Sequence, residues 1–308
     1  MSFPTRRLAM KKALAILSFA LLGLTAFVPA SSTQDLVWDQ YRGYDVPFVP
    51  TPTEVVDEML RLVAPRSGDV LYDLGCGDGR IVIAAAQKYG VKALGIDIDP
   101  VRIGESNENA AKAGLTGKVR FLQQNLFEAD FKDATIVTMY LLTSVNLRLR
   151  PKLLADLRPG SRLVSHSFDM GDWRPDKTVL VETGFGDQRS VHFWVIPANV
   201  SGRWEWDLGA GDKRRHFSVQ AVQEFQSVSA SGTEGTWLVA VNDLSLVGDR
   251  IKFQLDTETD GKMASWLYEG TAKGDVIEGT VRPAGDPKAA PAKWKAVRDP
   301  KTVVPIAK

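Results

Sequence analysis

The sequence predicts an α/β protein, a doubly wound and mainly parallel sheet, followed by an antiparallel β-meander module. Three observations carry this. From about Thr53 to Asp176, short apolar runs ending in glycine or an acid alternate with helical segments, the pattern of strands crossed over by helices. Beyond Asp176 helical periodicity vanishes, and Gly, Asp, Thr and Trp punctuate short alternating runs, as in antiparallel hairpins. The 308 residues, 44% hydrophobic and 24% charged, suffice for one large or two modest cores.

The first thirty residues follow another logic. Arg6, Arg7, Lys11 and Lys12 precede a nearly unbroken apolar run over 13–28, and Val28-Pro29-Ala30 ends in small residues. That is the order of an export signal. Sixteen apolar residues are marginal for spanning a bilayer, which favours cleavage after Ala30 over a retained anchor. Charge bias keeps the basic end cytoplasmic in either case, so the signal engages the membrane and the remainder is delivered outside. The expected location is exported or periplasmic, or membrane-anchored by an uncleaved N-terminal segment. A buried N-terminal helix fits less well, because the run has no polar face. The stretch TRRLAMK also resembles a twin-arginine signal, without the aromatic residue usual after the arginine pair.

The elements then follow in order. TPTEVVDEMLRLVA places Val55, Val56, Met59, Leu60 and Val63 on one helical face, and Pro65 and Gly68 stop it. DVLYDLG reads as a buried strand, RIVIAAAQKYG as a helix closed by Gly90, and KALGIDID as a second strand. Pro100 opens a second crossover helix that Gly114 ends. KVRFLQQN and ATIVTMYLL give the third and fourth strands, VNLRLRPKLLADLRPG a helix despite Pro151, and SRLVSHSFD the fifth strand. GDRIKF and GDVIEG look like two copies of one hairpin device inside a meander that closes as a small barrel or a sandwich. The strands just after Asp176 are expected to complete the first sheet. The organisation is then an export signal at 1–30, an α/β domain at 31–197 and an antiparallel β module at 198–308.

Composition excludes several functions. Net charge is +1, from 38 basic and 37 acidic residues, so nothing global favours nucleic acid. Cys76 is the only cysteine, which excludes an internal disulfide and a multi-cysteine metal site.

Ligands of a doubly wound sheet lie beyond the carboxyl ends of its strands. There the sequence reads YDLGCGDGR, with Gly75, Gly77 and Gly79 on alternate positions. A dinucleotide loop needs G-x-G-x-x-G and offers helix N–H groups to a pyrophosphate. Here Asp73 and Asp78 flank the turn, and two carboxylates repel an anion but suit a cation. S-adenosylmethionine has no phosphate and carries a sulfonium and an ammonium, so the loop favours it over NAD. Asp97, 24 residues past Asp73, closes the second strand, where an acid accepts hydrogen bonds from both ribose hydroxyls. That role is common to both cofactors. Asn125 closes the third strand where an adenine amino group arrives, and Leu126 and Phe127 follow to cover the ring. Ile98, next to Asp97, completes the cofactor set.

Residues from about 44 to 176 resemble a class I S-adenosylmethionine-dependent methyltransferase domain of the Rossmann-like kind. The stretches VPFVPTP, YDLGCGDGRIVIAAA, GIDIDP, YLLTSVNLRLRPKL and SHSFDMGDW are similar to one subfamily. It includes the mitochondrial lysine methyltransferases of the ATP synthase c subunit and the adenine nucleotide translocase. The resemblance implies that Asp73, Gly75, Gly77, Gly79 and Asp97 bind the cofactor, and that the substrate is a protein lysine, which in those relatives lies on a membrane protein. Asn125 departs from the aspartate common in the superfamily, but its amide oxygen still accepts a hydrogen bond. The resemblance says nothing about the C-terminal strands.

On the acceptor side, Tyr140 at the fourth strand's end is the candidate for shaping the pocket or accepting an N–H. Ordinary core packing explains it equally well. Glu128 and Asp169 are weaker candidates for an acidic rim. His166 reads as a substrate-side base or as a hydrogen-bonded structural residue, and Cys76 as a loop filler. Of eight tryptophans, the five from Trp204 onward are expected on the inner face of the meander. Two alternatives remain from sequence: a non-catalytic cofactor binder whose β module does the work, and a methyltransferase acting on a small molecule.

Overall fold

The computed structural model describes residues 45–306, Phe185 and Asp260 excepted; the expected export signal at 1–30 lies outside the described residues. Helix α1 (Thr53–Val63) buries the five apolar residues that its spacing predicts, and its C-cap Ala64 adopts a left-handed conformation. Then come β1 (Val70–Leu74), α2 (Arg80–Tyr89), β2 (Lys92–Asp97), α3 (Pro100–Lys112), β3 (Val119–Gln123) and β4 (Ile136–Met139). Helix α4 (Thr143–Asp156), β5 (Arg162–His166), β6 (Lys177–Glu182) and β7 (Gln188–Val195) complete the first layer system.

The strands form one seven-stranded sheet in the order β3-β2-β1-β4-β5-β7-β6. β1 to β5 run parallel, β7 pairs antiparallel with β5, and edge strand β6 pairs antiparallel with β7. Strand order reverses between β1 and β4, the switch point where such sheets bind ligands. On one face α1, α2 and α3 pack through Val56, Leu60, Ile81, Val82 and Ala110. On the other, α4 packs through Val145, Leu149 and Leu153, beside Phe131, Trp173 and Trp194. Helix α4 runs through Pro151.

Two strands end earlier than their apolar runs suggest. β2 stops at Asp97 because Asp99 leaves the ladder to cap α3, its Oδ1 accepting from Val101 N at 2.8 Å. β4 stops at Met139 because Leu142 turns to start α4, its carbonyl accepting from the Val145 and Asn146 amides. Tyr140 is therefore delivered past the sheet edge.

The C-terminal strands settle as a closed barrel. It comprises β8 (Gly202–Leu208), β9 (Arg215–Glu224), β10 (Ser227–Glu234), β11 (Trp237–Val247), β12 (Arg250–Thr259), β13 (Lys262–Lys273), β14 (Val276–Pro283) and β15 (Ala292–Arg298). Each strand pairs antiparallel with its neighbours in sequence, and β15 closes on β8, so no edge is left open. The Gly248-Asp249 and Gly274-Asp275 pairs are two-residue hairpin turns, as their repetition in sequence suggests. Trp206 sits among Phe217, Tyr268 and Trp294 at ring-centre distances of 5.4–5.6 Å, leaving an apolar cavity of only about 20 Å³. Trp204, Trp206 and Trp294 are inside, whereas Trp237, expected inside, is 79% exposed at the β10–β11 tip. There the inward-facing position runs out past the barrel rim.

Both sheets belong to one compact unit. Arg298 is almost wholly buried, stacks over Trp204 at 5.0 Å and donates to the carbonyls of Asn199, Ser201 and Gly274 and to the Asp275 carboxylate. It ties the 196–201 connection to the barrel wall.

Candidate cofactor and acceptor site

The loop after β1 is a backbone device. Gly75 N and Cys76 N both donate to Ile96 O, at 2.8 and 3.0 Å, and Gly79 N to Cys76 O at 2.9 Å. Gly77 has φ +53°, and a Cβ there would lie 2.3 Å from the Phe48 ring. Both the backbone and the close approach demand glycine. The Gly75 and Gly79 positions are equally closed, by Leu141 and Phe121. Ser106 Oγ donates to Gly77 O at 2.7 Å and fixes the turn from α3. Cys76 is buried against it, its thiol pushed up by burial, so it fills space rather than reacting.

Asp97 locks to this loop. Its Oδ2 accepts from Gly77 N at 2.9 Å and its Oδ1 from Asp99 N at 3.0 Å. Each oxygen keeps a lone pair for a diol hydroxyl. Ile98 follows with 47% of its surface exposed, an apolar side chain available to a ligand. At the end of β3, Asn125 Oδ1 accepts from Phe127 N at 3.1 Å, holding the turn on which half-buried Leu126 stands. The Phe127 ring packs under Arg148, 4.1 Å from the guanidinium carbon.

The two loop carboxylates prove different. Asp78 is not free: Arg80 forks onto it with Nη2–Oδ2 at 2.6 Å and Nε–Oδ1 at 2.9 Å, so its charge is already compensated. Arg80 Nη1 also reaches Thr51 O at 2.8 Å, drawing the 46–52 segment over the loop. Asp73 has no cationic partner among the described residues. It is buried, and its Oδ1 accepts from Thr138 Oγ at 2.6 Å. Burial pushes its pKa to about 7, against the pull of the Thr138 hydroxyl, and the charges of Asp97 and Asp78 add to the rise. A desolvated acid short of a cation, beside a glycine turn and a diol-binding carboxylate, is a fit to a sulfonium and ammonium ligand. Among the described residues, no acidic, histidine or cysteine cluster suits a metal ion.

The acceptor side lies at the ends of β4 and β5. Tyr140 is half-buried, its ring centre 3.8 Å from that of His166 and 5.9 Å from that of Phe168. His166 Nδ1 shares a 3.3 Å hydrogen bond with Thr51 Oγ. Among the described residues, its buried Nε2 has no hydrogen-bond partner. Burial, with the Arg189 charge, lowers its pKa to about 4, so the imidazole is neutral. Asp169 and Glu128 are exposed at the periphery. Asp169 supports its own loop, accepting from Gly171 N at 3.2 Å.

Sequence reasoning missed Phe48, Thr51, Arg80 and Thr138. Thr138 had a signal, a polar residue in the apolar run IVTM, in register with Asp73. Phe48 and Thr51 had none beyond their motif, because their roles depend on how the segment before α1 folds back.

Residues 73–177 match the model of the ANTKMT methyltransferase domain. The chain is 47% identical over 152 residues to a protein-lysine N-methyltransferase of Saccharolobus islandicus, covering 49% of this chain and 94% of that protein. It is 35% identical over 157 residues to the adenine nucleotide translocase lysine N-methyltransferase of Mus musculus, covering 51% of this chain and 65% of that one. A crystal structure described as an RNA methyltransferase from Salinibacter ruber, in complex with S-adenosyl-L-homocysteine, is 52% identical. It covers 49% of this chain and 96% of its own, with a TM-score of 0.47. None of these matches spans the full chain.

Proposed function

The chain belongs to the family of class I S-adenosylmethionine-dependent methyltransferases that includes the Saccharolobus islandicus protein-lysine N-methyltransferase, and from that premise we propose that it methylates the ε-amine of a protein lysine. One observation carries the reading. At the carboxyl ends of the parallel strands, a cation-seeking carboxylate, Asp73, stands beside the Asp97–Gly77 lock, with the aromatic ends of β4 and β5 on the same side of the sheet.

The cofactor supplies an electrophilic methyl carbon on a sulfonium. Asp73 would face its positive charge, Asp97 would hold the ribose hydroxyls, and Asn125 with Leu126 and Ile98 would receive the adenine. The chain's own work is alignment and drying, since methyl transfer is an in-line displacement. The ε-ammonium must first lose a proton to solvent, and contact with Tyr140 and Phe168 favours this by desolvating it. Tyr140 walls the approach and offers its hydroxyl oxygen to an amine N–H. His166, neutral beneath it, adds no positive charge that would hinder the incoming cation.

The finer reading rests on residues 1–30: the enzyme acts outside the cytoplasm or at the membrane surface, on a lysine near the bilayer. Fractionation with sequencing of the mature N-terminus tests the location. For the activity, purified enzyme with methyl-labelled S-adenosylmethionine is given membrane and soluble fractions from a strain lacking the gene. Label on lysine, reduced with Asp97→Ala and lost with Gly77→Val, is the expected result. Label only in RNA or in small amines would overturn it.

A further inference from the structure

We propose that the barrel is a working part of the acceptor site: Phe225 and Gln226, at the β9–β10 turn, are positioning residues for the loop that carries Phe168 against Tyr140. This rests on the lysine methyltransferase reading for its activity arm only.

The loop over 167–174 leaves β5 under strain. Ser167 is left-handed at φ +62°, a costly conformation for a residue with a Cβ. Helix α4 holds the near half, with Asn146 Nδ2 donating to Phe168 O and Asp169 O at 3.3 and 3.1 Å. Arg150 Nη1 donates to Met170 O at 2.8 Å and pairs with Asp172.

The far half is held by the barrel. Fully buried Trp173 stacks on Phe225 at 5.6 Å with 15° between planes, and its Nε1 donates to Gln226 Oε1 at 2.8 Å. Gln226 Nε2 returns a bond to Arg174 O at 2.8 Å. Arg150 lies over the Phe225 ring at 5.1 Å, so one arginine braces the loop and the barrel tip together. Phe225 packs in the core of the first sheet although it belongs to the barrel, and it is itself left-handed at φ +52°. A strained turn kept on an aromatic residue, and aimed into another core, is a key in a lock. The loop it holds leads straight back to Phe168, whose ring faces Tyr140.

The test uses the full chain with poly-L-lysine as acceptor probe. Gln226→Ala and Phe225→Ala are expected to leave S-adenosylmethionine affinity within about twofold, because no cofactor residue is touched. They should lower acceptor turnover about ten- to hundredfold, the scale of a small misplacement at a reacting centre, and speed amide exchange over 168–174. Gln226→Glu, which keeps the acceptor for the Trp173 indole but loses the donor to Arg174 O, should recover only part of the rate. Unchanged turnover and unchanged exchange in a folded variant would overturn the proposal, as would cofactor affinity falling in step with turnover. If the wild type fails to methylate poly-lysine or any other protein, the lysine reading fails. The exchange arm then still decides whether the barrel holds the loop.

Discussion

Asp73 and Asp97 divide the work of holding one cofactor, and each has its own signature. Asp97→Ala removes a charged acceptor and also the anchor for Gly77 N. Calorimetry is expected to show a loss of about 1–3 kcal/mol in S-adenosylmethionine binding, with the variant still folded. Asp73 gives a pH dependence. With its pKa raised to about 7, the carboxyl of the free enzyme holds a proton below neutrality, and a cationic ligand favours the ionised form. Binding therefore releases a proton below pH 7, and affinity falls by up to about tenfold per pH unit as pH drops. Above pH 7 this dependence flattens. Titrations in buffers of different ionisation enthalpy measure the proton directly, and Asp73→Asn should abolish its release. A pH-independent affinity in the wild type would remove Asp73 from the cation's neighbourhood.

At the scale of elements, the glycine loop and the segment before α1 form one unit. Phe48 lies on Gly77 and is itself covered by Arg102, whose guanidinium carbon is 4.5 Å from the ring. Gly77→Val meets two obstacles, a left-handed backbone and the Phe48 ring. It should abolish measurable cofactor binding, where Asp97→Ala only weakens it, and shortening Phe48 to alanine in the same chain should restore little because the backbone conformation remains wrong. Normal binding by Gly77→Val would make the loop a mere corner. In the barrel, Arg298→Ala leaves the carbonyls of Asn199, Ser201 and Gly274 short of a donor. Chemical unfolding is expected to lose about 2–4 kcal/mol, without change in cofactor affinity for the folded protein.

Across the whole molecule, the two sheets have separate cores but share a seam. The barrel buries its own aromatic cluster, yet Phe225 and Ile306 pack in the core of the parallel sheet. A chain ending at Pro197 keeps every proposed cofactor residue and loses the Phe225 ring from Trp173. Burial of one aromatic side chain contributes about 1.5–3 kcal/mol. The shortened chain is expected to melt lower while S-adenosylmethionine still raises its melting temperature. A melting temperature equal to the full chain's would show that the seam contributes nothing.

The sequence by itself determined the α/β layer system, the succession of its strands and helices and the cofactor class. Those features are local: the spacing at Val55 to Val63 acts within one helix, and the glycines at 75, 77 and 79 with Asp73 and Asp97 at successive strand ends act within one crossover. Tertiary structure decided the rest, because the partners are distant in sequence. It carried Arg80, forked onto neighbouring Asp78, to the Thr51 carbonyl across 29 residues, brought Thr138 to Asp73 across 65 residues, and left one acid without a cation among the described residues where two were expected. It closed the meander into a barrel rather than a sandwich, a choice that alternation cannot express since both bury one face of every strand. It also set Phe225 into a core more than fifty residues upstream at Trp173. A single aromatic at a hairpin tip carries no periodicity, so only the packed molecule reveals what it touches.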